Sequence, residues 1–195
     1  MMDWSILAQI KWRPTIGDPT MMGWVTVAAY FFCGLVTLKL CLASREIFPQ
    51  QVASRQRQFW FCLGLMMLFL GVNKQLDLQS LLTAIGRYFA HRDGWYDHRR
   101  VVQVGVILGI LGSLSLAMFS FVMYFKPIIR TNWLAIVGLG LLLLFIGVRA
   151  TSFHHMDALI NTRLLNVRVN WILELGGIAT ITLPALLFLG SRRKT

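Results

Sequence analysis

The chain has 195 residues, of which 56% are hydrophobic and 14% charged, with a formal charge of +11. Soluble domains carry about 25% charged residues, so this composition excludes a water-soluble fold of this length. The basic residues are spread over every segment between apolar runs instead of forming one patch with interleaved aromatics, which argues against nucleic-acid binding.

The apolar runs do not alternate with polar residues, so a closed barrel is excluded and spanning helices remain. The expected fold is all-α: a polytopic transmembrane bundle of about five spans in one domain, with interfacial helical segments. Met1 to Met22 reads as an amphipathic, turn-rich arm, because Pro14 and Pro19 flank Gly17-Asp18 and forbid a continuous helix. A first span is expected over 23–43, with Trp24 and Tyr30 towards one end and Lys39 snorkelling at the other.

A second span is expected over 59–77. Its apolar part, Phe59 to Val72, is too short to cross about 30 Å of hydrocarbon. Asn73, Lys74, Gln75 and Asp77 must therefore enter the headgroup layer. Beyond them, Leu78, Leu81, Leu82, Ile85 and Phe89 recur at helical spacing, as in an interfacial amphipathic extension. A third span is expected over 101–125, where Gly105 and Gly109 allow close approach of a neighbouring helix. The fourth is expected over 133–149 and the fifth over 170–189.

Five spans put the N-terminal arm, residues 73–100 and residues 149–170 on one side of the membrane. That side holds His91, His98, His154 and His155, every histidine of the chain, together with Asp77, Asp93, Asp97 and Asp157. The other side carries Arg45, Arg55, Arg57, Lys126, Arg130 and the tail Arg192-Arg193-Lys194, which favours it as cytoplasmic. The expected location is a bacterial inner membrane with the N-terminus outside.

Three polar pairs have helical spacing: Asn73 with Asp77, His154 with Asp157, and Asn170 with Glu174. Glu174, a turn inside the last span, needs a partner, and Arg149 at similar depth is the expected one. The same carboxylate could instead be poised in a catalytic site. His154, His155 and Asp157, with Asp77, have the residue types of a divalent metal site, and Glu174 would then serve as general base. Adjacent histidines on one helix diverge by about 100°, which weighs against both binding one ion. A haem held between His91 or His98 and His154 or His155 is the weaker cofactor alternative. Lys74, Trp95, Tyr96, Arg99 and Arg100 combine interfacial aromatics with cations, as in a lipid phosphate clamp or a plain anchoring belt. Cys33, Cys41 and Cys62 lie in apolar stretches and read as packing residues.

The run Asn73-Lys74-Gln75-Leu76-Asp77-Leu78-Gln79, with Gly94-Trp95-Tyr96, Arg149-Ala150 and Ser152-Phe153-His154-His155, resembles small bacterial multi-span membrane proteins that carry no assigned activity. The resemblance covers most of the chain and implies no reaction. Membrane-embedded ceramidase-type hydrolases also gather histidines and an aspartate at one membrane face, but the spacing here does not reproduce their motifs. The leading expectation is a binding protein that recognises an anionic lipid or a membrane-protein partner, with self-association an open possibility. A metal-dependent interfacial hydrolase and a haem- or quinone-associated subunit are the alternatives.

Overall fold

The computed structural model describes residues 17–76, 81, 84–86, 88–89, 92, 99–151, 163–164 and 167–191. The side chains of 99–101, 103, 107, 110, 147–151, 163–164 and 167–170 lie outside that description. Five long helices make an all-α bundle: α1 (Met21–Ile47), α2 (Gln50–Leu76), α3 (Arg99–Tyr124), α4 (Ile129–Thr151) and α5 (Val169–Ser191). All five contain segments long and apolar enough to cross a membrane. A short 3-10 turn, Lys126–Ile128, joins α3 to α4, and Arg163–Leu164 pairs antiparallel with Val167–Arg168 just before α5.

Local chemistry sets the helix ends. Thr20 caps α1: its extended backbone leaves Oγ1 free to accept from the Gly23 N–H at 3.1 Å. Asp18 Oδ1 in turn accepts from Thr20 Oγ1 at 2.6 Å. At the far end, Phe48 is extended (φ −107°, ψ 150°) because the ring of Pro49 disfavours a helical residue before it. The Pro49 carbonyl then accepts from Val52 and Ala53 N–H at 3.0 and 2.9 Å, which starts α2 at once.

The second span thus begins at Gln50, not near Phe59, and only Phe48 and Pro49 separate it from α1. The polar stretch 50–58 has no internal proline or glycine to break it, so it coils into two extra helical turns. Arg55 and Arg57 consequently ride on a helix and not in a loop. The other expected spans differ only at their ends, by up to four residues, and the described residues between 81 and 92 are helical.

The core lies between α1, α2, α4 and α5, around Tyr30, Cys33, Leu40, Trp60, Leu63, Met67, Leu139, Leu142 and Ile181. Two close approaches build it. A Cβ added at Gly34 would lie 2.7 Å from Leu68 Cδ2, and one at Gly64 the same distance from Leu38 Cδ2, which brings α1 against α2. Gly138 of α4 meets Gly177 of α5 more tightly, because a Cβ at Gly138 would lie 2.7 Å from the Gly177 carbonyl oxygen.

Gly105 and Gly109, the expected approach point, have nothing within 4 Å of their Cβ positions. Helix α3 has no buried residue among its described side chains and is held mainly by its C-terminal end. There Phe121 and Phe125 pack on Phe59, with ring centroids 5.6 and 5.3 Å away, and Tyr124 Oη donates to Gln58 Oε1 at 2.9 Å.

Candidate polar site at one end of the bundle

Two bundle ends can be distinguished by what meets there. At one, the Gly17 N–H donates to the Gln75 carbonyl at 2.9 Å, tying the entry to α1 onto the last turn of α2. At the other, Phe48 packs edge-on against Phe188 of α5 at 5.0 Å. The helices alternate in direction, so Arg99 and Thr151 lie at the Gln75 end, as does the start of α5. These are the helix ends that flank residues 93–98 and 152–162.

Near that end, three helices converge on one carboxylate. Glu174 of α5 is 2% exposed. Lys74 Nζ of α2 donates to Glu174 Oε2 at 2.8 Å, and Tyr30 Oη of α1 donates to Oε1 at 3.1 Å. Each carboxylate oxygen thus has a donor, and the Lys74 side chain, 5% exposed, supplies the compensating charge. A buried acid in hydrocarbon is tolerated when paired and hydrogen-bonded in this way. The cluster is electrically neutral, so it adds no net charge to its end of the bundle.

The partner seen for Glu174 is thus Lys74, while the expected Arg149–Glu174 clasp falls on a side chain outside the described residues. Arg149 sits in the last turn of α4. Lys74 is turned inward because it continues the buried stripe Leu63, Met67, Leu70 along α2. Its ammonium is therefore committed to the interior, away from the headgroup clamp in which the sequence placed it. Tyr30, expected towards one end of the first span, is 2% exposed and belongs to the site, while Trp24 faces outward at 51%. The signal for Tyr30 was present in the sequence as the stripe Tyr30, Cys33, Thr37, Cys41 and Ser44, all buried on α1.

The remaining expected residues divide by location. Asn73 is half-buried on α2. Asn170 opens α5 one turn before Glu174, and Arg99 and Arg100 open α3, with backbones described and side chains not. Asp77, Trp95, Tyr96, His91, His98, His154, His155 and Asp157 lie outside the described residues, and the expected metal and haem ligands lie there with them. Among the described residues no group of three or more His, Cys, Asp or Glu side chains could hold a metal ion. Cys33 and Cys41 are buried free thiols and Cys62 is an exposed one.

A second polar cluster, near the opposite end, escaped the sequence analysis. Asn132 interrupts the helical backbone early in α4 (φ −114°, ψ 18°) and is fully buried. Its Nδ2 donates to Gln56 Oε1 at 2.9 Å and to the Ile128 carbonyl at 3.0 Å, while Trp60 Nε1 donates to the same Gln56 oxygen at 3.1 Å. The i, i+4 spacing of Gln56 and Trp60 was the available clue.

Comparison with family models, with curated proteins and with solved structures gives no match to this chain.

Proposed function

We propose that the protein is a membrane-embedded binding protein that recognises an anionic lipid headgroup at the bundle end where Glu174 lies. One observation carries this reading. The positive N-termini of α1, α3 and α5 share that end, and none has an acidic residue in its first turn. Two of these termini are instead flanked by cations. Arg99 and Arg100 open α3, and Arg168, paired across the ladder with Arg163, directly precedes α5. A cation at a helix N-terminus opposes the macrodipole, and a bound phosphate relieves both charges together. Glu174 does not serve as that anion, because Lys74 neutralises it within the bundle.

In this reading the chain resides in a bacterial inner membrane, with the Glu174 end outward. The basic residues Arg45, Arg55, Arg57, Lys126 and Arg130 at the opposite helix ends support a cytoplasmic orientation for that face.

The test is lipid retention by the full chain in nanodiscs of mixed phosphatidylglycerol and phosphatidylcholine, read by native mass spectrometry. Replacing Arg99 and Arg100 together with Gln is expected to lower the preference for the anionic lipid about thirtyfold, from about 1 kcal/mol per arginine near a membrane surface. Added salt should lower the wild-type preference as well. A preference left intact by the double substitution ends the proposal.

A further inference from the structure

Gln75 is a polar group at the Glu174 end that the ion pair leaves unexplained. Its Nε2 and Oε1 are both shielded and neither has a hydrogen-bond partner. Protein interiors rarely leave one such atom unmet, let alone both atoms of one amide. The Gln75 backbone is already engaged, since its carbonyl accepts from Gly17. The side chain lies one residue from the C-terminus of α2, and the residue as a whole is only half-buried. Recognition of a headgroup by Gln75 requires the shielded amide to turn outward about its own side-chain bonds.

The chemistry of the amide restricts what can satisfy it. Nε2 needs an acceptor and Oε1 needs a donor. A phosphate diester offers acceptors alone. A choline headgroup offers no donor, and an ethanolamine headgroup, whose ammonium donates and whose phosphate accepts, carries no net charge to meet the arginines. A hydroxyl offers both. At the bundle end that also carries the arginines opening α3 and preceding α5, an anionic headgroup with a phosphate and a hydroxyl meets both the charge and the amide.

We propose that Gln75 selects a hydroxyl-bearing anionic headgroup, the glycerol of a phosphatidylglycerol-type lipid, an inference that rests on the anionic-lipid reading above. Phosphatidylmethanol is the discriminating probe, because it carries the same phosphodiester charge without a hydroxyl. In nanodiscs the wild-type chain should retain phosphatidylglycerol about tenfold over phosphatidylmethanol, the scale of one or two net hydrogen bonds. Gln75→Leu should bring the two lipids to parity while both stay above phosphatidylcholine.

Equal retention of the two anionic lipids by the wild-type chain, with both above phosphatidylcholine, overturns the role of Gln75 and leaves the arginine reading standing. That comparison needs no variant and so is independent of whether Gln75→Leu folds. Retention of neither anionic lipid above phosphatidylcholine overturns the arginine reading, and this inference with it. A glycerol preference that persists in Gln75→Leu also overturns the assignment. Soluble glycerol phosphate serves as competitor: failure to displace the lipid supports a membrane-borne ligand, and displacement overturns the lipid source.

Discussion

Replacing Glu174 with Leu should destabilise the bundle by about 3 kcal/mol, the lower end of the cost of stranding one member of a buried ion pair. The Lys74 ammonium, 2.8 Å from the carboxylate in the native protein, would be left in an apolar interior with no counter-charge from Glu174. One escape route holds the cost to that lower end: Lys74 lies two residues from the end of α2, so its four-carbon stem can bend towards the headgroups. Tyr30→Phe removes the 3.1 Å hydrogen bond to the carboxylate and should cost about 1–2 kcal/mol.

The sharper expectation concerns the double variant Lys74→Met with Glu174→Leu. Removing both charges leaves no ion to desolvate, and apolar replacements of buried ion pairs are often neutral or stabilising. The double variant should therefore lie within about 1 kcal/mol of the native protein, well above Glu174→Leu. Unfolding in mixed micelles titrated with sodium dodecyl sulfate gives the four corners of this cycle. A coupling energy near zero would mean that the pair does not form in the membrane. A double variant that folds well but loses its anionic-lipid preference would place the pair in recognition as well as in packing.

The same residues show what the sequence made legible. The helical class and the number of spans followed from the exclusion of charge from five long runs, a constraint imposed by the bilayer along one chain segment at a time. The start of α2 did not follow. Hydropathy counts apolar residues, whereas the helix begins where Pro49 offers its carbonyl, whatever the polarity of residues 50–58. Lys74 was misplaced for a related reason. Its neighbours Asn73, Gln75 and Asp77 are polar, and reading them as a block concealed the stripe through Leu63, Met67 and Leu70 that turns Lys74 inward. Finding Lys74 as a partner of Glu174 required the relative rotation of α2 and α5, which no periodicity within one helix contains. Glycines misled in the same way. Gly105 and Gly109 form a conspicuous pair on one helix, yet close approach uses Gly34 with Gly64 and Gly138 with Gly177, pairs whose members lie on different helices.

That difference makes a second prediction with a large effect. Gly138→Ala should destabilise the protein by about 2 kcal/mol, and Gly138→Leu by more, although alanine favours a helix over glycine by about 1 kcal/mol. The added methyl at Gly138 would lie 2.7 Å from the Gly177 carbonyl oxygen and 2.8 Å from Ile181 Cγ1, and it would press on Thr180 Oγ1. A backbone carbonyl cannot turn aside as a side-chain tip can, so α4 and α5 must move apart along their length. Because α5 also carries Glu174, the shift is transmitted towards the Lys74 contact. Gly34→Ala presses on the Leu68 side chain at 2.7–2.9 Å, with the Gly64 carbonyl oxygen at an ordinary 3.4 Å, and should cost about 1 kcal/mol or less, once its own gain in helix propensity is counted. Gly105→Ala and Gly109→Ala have open space and should be neutral or slightly stabilising. The order of the four alanine variants in the same detergent titration decides between two architectures. Loss concentrated at Gly138 supports the α4–α5 contact, whereas loss concentrated at Gly105 and Gly109 would put the tight helix crossing on α3 and remove the frame that brings Glu174 to Lys74.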